Sequence, residues 1–178
     1  MRKTLLLFTT MALTLLLAAG MAWAALPAPT VDPLRTVPAN GATNVALNAN
    51  ITATFSEPMS SKSFQISNHS TSTTSSKTFY LLPGGHFTAP RPNKNPPYHC
   101  TTIGMRCPAP IPATVSYIAG NKTAFTLNPT SLLQPGTKYT AVVEGTADGD
   151  YVAVKDADGT PMLIAGTGDY IFHFTTAP

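Results

Sequence analysis

Apolar and polar residues alternate along much of this chain, in short runs separated by Pro, Gly, Asn and Asp. Ile51, Ala53 and Phe55, for example, are separated by Thr52 and Thr54. A period of two residues is typical of β-strands that bury one face and expose the other to water. The same spacing recurs at Phe64 and Ile66, Phe79 and Leu81, Val115 and Tyr117, Phe125 and Leu127, Tyr139, Ala141 and Val143, and Tyr170, Phe172 and Phe174.

The clearest local prediction is a β-hairpin in the middle of the chain. Val115 and Tyr117 precede the turn-forming residues 119–122, and Phe125 and Leu127 follow them. Gly and Asn tolerate the positive φ angles that tight hairpin turns need. No segment has a convincing amphipathic helical pattern. About seven short strands then predict an all-β, antiparallel β-sandwich, because each sheet must bury one face against another.

The N-terminus carries the pattern of a secretory signal peptide. Arg2 and Lys3 precede an apolar run over residues 5–19, and the small residues Ala22 and Ala24 follow it. We expect residues 1–24 to be removed during export, with the protein secreted or at the cell surface. The alternative is an uncleaved anchor, the only part of the chain expected to touch a membrane. Residues 25–32 are predicted to be a linker and residues 33–178 the domain.

The charge of the chain argues against a nucleic-acid partner. The chain has 11 basic and 8 acidic residues. Two of the basic residues lie in the predicted signal peptide, so the net charge of the mature chain is 9 minus 8, or +1. The remaining Lys and Arg are scattered rather than clustered on one segment. A nucleic-acid interface would require such a cluster, so we expect none.

An insertion at 83–112 interrupts the strand pattern. It contains eight of the 17 prolines, which exclude a helix or a central strand. Cys100 and Cys107 lie within it, and in an exported protein we predict that they form a disulfide. The alternative, half of a zinc site, lacks the spacing of such sites. Long loops in compact domains are usually functional or disordered.

The same loop holds the candidate binding residues. Aromatic and Arg side chains are the types that anchor interfaces. The loop between residues 84 and 107 could therefore bind a partner, or it could be a decoration without a ligand. The candidates are Phe87, Arg91, Tyr98, His99 and Arg106.

Four blocks, at residues 37–45, 51–59, 133–140 and 172–176, resemble the bacterial Ig-like domain of the SbsA type, first known from S-layer proteins. The resemblance covers residues 33–178, with 83–112 unmatched. It implies an Ig-like sandwich found in bacterial surface and secreted proteins, where it acts as a spacer, an adhesive or an accessory module. It implies no catalytic residues.

No catalytic motif or cofactor motif is apparent, so we expect no enzyme, no cofactor and no bound metal. Four acidic residues could nevertheless supply oxygen ligands to Ca²⁺, namely Asp148, Asp150, Asp156 and Asp158. The twelfth position counted from Asp156 is Thr167, which cannot supply the bidentate carboxylate of an EF-hand. Ordinary Asp-Gly turns are the favoured alternative.

Two functions remain open from the sequence. The first is a non-catalytic surface module that acts in adhesion, spacing or protein–protein interaction, with an unknown surface protein or glycan as its partner. The second is a soluble ligand-binding or inhibitor-like protein that uses the loop at 84–107. Identifying the proteins or glycans that co-purify with the exported chain would distinguish these two functions.

Overall fold

A computed structural model describes residues 28–32, 35–64, 78–84, 109–118, 121–145, 153–162 and 169–178. The predicted all-β sandwich is confirmed, with one four-stranded and one three-stranded sheet. Their orders are β1-β7-β6-β3 and β2-β5-β4. The elements are β1 (Ala42–Val45), β2 (Ile51–Thr54), a 3-10 helix (Ser61–Phe64), β3 (Phe79–Pro83), β4 (Ala113–Ile118), β5 (Asn121–Pro129), β6 (Lys138–Val143) and β7 (Tyr170–Thr176).

Within the described ranges, no helix has the length and apolar character needed to cross a membrane.

The predicted hairpin is formed by β4 and β5. Val115 pairs with Leu127 and Tyr117 with Phe125, in antiparallel register. The connection is shorter than expected, because β5 already begins at Asn121 and pairs there with Ile118. The register shifts between Tyr117 and Ile118.

One strand pair departs from the expected antiparallel arrangement. β1 runs parallel to β7, with Ala42 opposite Phe174 and Val45 opposite Thr176. These strands come from opposite ends of the domain, so no short turn forces them to be antiparallel. The other strand pairs of the two sheets are antiparallel.

Aromatic rings fill the space between the sheets. Phe64 stacks on Phe125 with ring centroids 3.8 Å apart, and Phe55 meets both rings edge to face. The prediction that Phe64 lies in a strand is wrong, since it ends the 3-10 helix. Ser63 closes this turn, because its hydroxyl and its N–H both donate to the carbonyl of Ser60. The turn directs Phe64 into the core, where its side chain is buried.

The expectation that every strand has one solvent-exposed face is wrong for β3. Phe79 and Leu81 face the other sheet as predicted, but Tyr80 and Leu82 are also fully buried. Tyr80 and Leu82 form a second apolar cluster with Val142 on the outer face of the four-stranded sheet. The sequence of β3 is a continuous apolar run, which is typical of a strand buried on both faces.

The loop before β6 is fixed by the side chain of Tyr139. Its hydroxyl oxygen accepts the backbone N–H of Gln134 at 2.8 Å, and the ring is buried. Gly136 adopts a positive φ of 57° between them. Thr176 adds a second tie, since its hydroxyl donates to the carbonyl of Gln134 at 2.6 Å. A tyrosine that bonds back to the preceding corner is a hallmark of Ig-like sandwiches.

Part of the segment assigned to a linker packs on the sandwich. Val31 is buried and belongs to the main core cluster. The N–H of Asp32 donates to the carbonyl of Thr54 at 2.8 Å, and the N–H of Ser56 donates to the carbonyl of Thr30 at 2.9 Å. Residues 30–32 therefore lie along β2 as an additional short edge.

Candidate functional site

The predicted binding loop begins and ends at the edge of β3. Gly84 donates its N–H to the carbonyl of Lys138 at 2.7 Å, so Gly84 still belongs to the sheet. On the return side, the N–H of Ile111 donates to the carbonyl of Leu81 at 2.8 Å. The candidate binding residues and the predicted disulfide lie outside the described residues: Phe87, Arg91, Tyr98, His99, Arg106, Cys100 and Cys107.

Next to this edge, Thr140 connects three strands. Its hydroxyl lies 2.6 Å from the carbonyl oxygen of Gly84 and 2.9 Å from Nδ1 of His173. The hydroxyl has one proton and the carbonyl can only accept, so Nδ1 of His173 must carry the proton it donates to Thr140. Burial lowers the pKa of His173, and the positive charge of Lys138 lowers it further. Both effects favour the neutral imidazole, and the hydrogen bond to Thr140 places a proton on Nδ1.

Two buried carboxylates lie where β6 ends and β7 begins. Val143 pairs with Tyr170, which places Glu144 and Asp169 at the next positions of neighbouring strands. The hydroxyl of Tyr80 donates to Oε1 of Glu144 at 2.5 Å, and both side chains are buried. Asp169 accepts the N–H of Gly145 at 3.1 Å through Oδ1. Both carboxylates therefore hold chain segments together.

The polar cluster of Tyr80, Glu144 and Asp169 was not predicted from the sequence. The only signal was a charged residue placed directly after the apolar run of β6, at Glu144. A polar residue at a strand end is ordinarily interpreted as solvent-exposed. Its burial depends on Tyr80, which is 64 positions away in sequence and comes close only through the pairing of β3 with β6.

Of the four candidate calcium ligands, Asp156 and Asp158 are described, and Asp148 and Asp150 lie outside the described residues. Oδ1 of Asp156 accepts the N–H groups of Asp158 at 2.9 Å and Thr160 at 2.7 Å. Gly159 has a φ of 91°, which a glycine adopts without strain. Asp156 thus organises an Asp-Gly turn, the alternative favoured from the sequence.

Among the described residues, no group of three or more His, Cys, Asp or Glu side chains is arranged to hold a metal ion.

Replacing Asp156 by alanine is expected to lower the free energy of unfolding by about 1–3 kcal/mol, because two N–H groups lose their acceptor. Urea denaturation measures the loss. Asp156→Asn is the matched control, since its Oδ1 can still accept both bonds, and we expect it to retain most of the stability. The loss should be equal with millimolar Ca²⁺ and with EDTA. A Ca²⁺-dependent stabilisation that disappears in both variants would contradict the turn interpretation.

The outer face of the three-stranded sheet is short and polar. The hydroxyls of Thr52 and Thr126 lie 3.0 Å apart on neighbouring strands. Ser116 continues this row on β4, opposite Thr126, and its side chain is exposed. Thr114 is also exposed and pairs with Asn128. The row of Thr52, Thr126 and Ser116, with Thr114 and Asn128 beside it, presents hydroxyl and amide groups.

The sequence matches a profile of the bacterial Ig-like domain family over residues 27–91 and 98–176. No curated protein matches the chain.

Two solved structures have a backbone fold similar to that of this chain. The methionine-rich copper resistance protein PcoC from Escherichia coli is 17% identical, with a TM-score of 0.49, and the match covers 84% of this chain and 99% of PcoC. Domains 1–6 of the surface layer protein SbsC are 15% identical, with a TM-score of 0.45. That match covers 90% of this chain and 15% of the SbsC chain.

Proposed function

We propose a function for this chain from the premise that it belongs to the bacterial Ig-like domain family. It acts as a non-catalytic module outside the cell or at the cell surface, in adhesion, spacing or protein–protein contact. Its partner is a surface protein or a glycan. Within the family, the narrower SbsA type remains our prediction, based on the four sequence blocks.

The observation that carries this proposal is how the buried polar side chains are used. Glu144 accepts from Tyr80, Asp169 from the backbone of Gly145, and Asp156 from its own turn. Thr140 joins β3, β6 and β7. In these four described side chains, groups that could serve as acids, bases or nucleophiles instead hold strands and turns in place. Such use supports a rigid scaffold that presents its surfaces to a partner.

The alternative function, ligand binding through the loop at 84–107, remains a prediction because its five binding residues lie outside the described ranges. The sheet contacts of Gly84 change how that alternative must be tested. A loop replacement has to start at residue 85, so that the bonds of Gly84 to β6 are kept.

The proposal predicts where the protein is found and in what form. We expect the chain, carrying a C-terminal epitope, to be digested by protease added to intact producing cells, or to be recovered from the medium. Mass spectrometry should show that residues 1–24 have been removed. A cytoplasmic protein of known location, resistant to the protease in the same cells, is the control. Recovery of the intact chain, with Trp23 retained, only from the cell interior would overturn the proposed location.

A further inference from the structure

One strand edge of the sandwich has open hydrogen-bonding groups. Thr130 donates its N–H to the carbonyl of Pro112 at 2.9 Å, which fixes the alternation of the β4–β5 ladder. Residues 114 and 116 therefore bond to β5, and the N–H and C=O groups of Ala113, Val115 and Tyr117 point away from it. Among the described residues, none provides a hydrogen-bond partner for these outward groups.

The other sheet edges have the features by which proteins avoid pairing. β1 has only four residues, with a register shift and a positive φ at Asn44. β3 is contacted at Leu81 by the returning chain at Ile111. β2 is flanked by bridges to Val31 and Val37. Short length, irregularity and covering segments all block edge-to-edge association. β4 has six residues and no charged side chain of its own, so it lacks the usual protection by a charge on the edge strand. The nearby charge of Lys122, on β5, lies 5.8 Å from the ring centre of Tyr117, at one end of this edge.

We propose that the β4 edge binds the β4 edge of a second copy of this chain, in antiparallel register about Val115. In this register Val115 lies opposite Val115 of the second copy, and Ala113 lies opposite Tyr117 of the second copy. Every outward N–H of one strand then meets an outward C=O of the other. The two three-stranded sheets then form one continuous sheet. The half-buried side chains of Val115 and Tyr117 become more deeply buried where the two copies meet.

The second copy fits this edge better than an unrelated strand for a reason of symmetry. The three outward residues are centred on Val115, so a two-fold axis through Val115 satisfies all of them at once. The same axis places Thr114 opposite Ser116 of the partner on the exposed face. Both are small and neutral, so the pairing brings no like charges together. The inference names a partner for the proposed module, and it can fail in purified protein while the surface location stands.

Two complementary double variants test the register. Thr114 and Ser116 are both exposed, so charged residues there leave the fold intact. We expect Thr114→Lys/Ser116→Lys and Thr114→Glu/Ser116→Glu each to weaken dimerisation about tenfold, since like charges lie opposite across the axis. An equimolar mixture should restore association as a heterodimer. Sedimentation velocity on the exported full chain, with wild-type protein as reference, measures all three.

Asn128→Lys is the matched control, because Asn128 is exposed in the same row as Thr114 but lies on β5, one strand away from the edge. It should dimerise as the wild-type chain does. A wild-type chain that is monomeric at high micromolar concentration overturns the proposal. So does a dimer that both double variants leave unchanged, or one that Asn128→Lys weakens to the same extent. A mixture that stays monomeric rejects the register about Val115.

Discussion

Replacing Phe125 by alanine is expected to lower the free energy of unfolding by about 3–5 kcal/mol. The Phe125 side chain is fully buried between the sheets. Its ring stacks on Phe64 at 3.8 Å and meets Phe55 edge to face at 6.0 Å, so alanine leaves a cavity lined by aromatic rings. Urea denaturation followed by far-ultraviolet circular dichroism gives the change.

Leu132→Ala is the control for the Phe125 prediction, because Leu132 is 67% exposed and should change stability by less than about 0.5 kcal/mol. A second test uses Phe64→Ala alone and combined with Phe125→Ala. Stacked rings should show a coupling energy of about 0.5–1.5 kcal/mol in this double-mutant cycle. Strictly additive losses would mean that the two rings do not pack directly on each other.

Replacing Tyr80 by phenylalanine is expected to cost about 1.5–3 kcal/mol of stability, although the ring and its volume are kept. The hydroxyl of Tyr80 donates to the buried carboxylate of Glu144, and a buried charged acceptor that loses a donor is costly. Thermal and urea unfolding of the variant measure the loss.

The partner variant Glu144→Gln shows whether charge strengthens the bond between residues 80 and 144. In that background Tyr80→Phe should cost only about 1 kcal/mol, the usual value for a neutral hydrogen bond. Tyr139→Phe is a useful comparison, because the hydroxyl oxygen of Tyr139 accepts from a neutral backbone N–H. If Tyr80→Phe costs no more than Tyr139→Phe, Glu144 is not a charged acceptor for Tyr80.

The part of the fold that could be predicted from the sequence is the part set by local alternation. Ile51, Ala53 and Phe55 alternate with threonines and do face the core, and the two predicted strands of the hairpin are β4 and β5. The outer cluster around Tyr80 and Leu82 was missed because a continuous apolar run has no period. The 3-10 helix was missed because Phe64 and Ile66 have strand spacing over too few residues to decide.

The candidate site depended on contacts that no local pattern contains. Glu144 meets Tyr80 only through the β3–β6 register, and β1 finds β7 from the other end of the domain. The turn at Asp156 could be predicted, because an Asp-x-Asp-Gly sequence satisfies its own backbone locally. Residues that act locally are visible in a sequence, whereas residues that act across strands require the topology.

The parallel pairing of β1 with β7 determines how the domain responds to a pull. β1 follows the N-terminal part of the domain and β7 ends it, so tension between the two ends drags these strands along each other in opposite directions. The bonds between them are then sheared together instead of being unzipped one at a time. The N–H of Ala177, which donates to the carbonyl of Val45 at 2.8 Å, extends the sheared region to the last residues of the chain. A module that spaces partners on a cell exposed to flow would resist stretching through this strand pair and through the bonds of Asp32 and Val37 to β2.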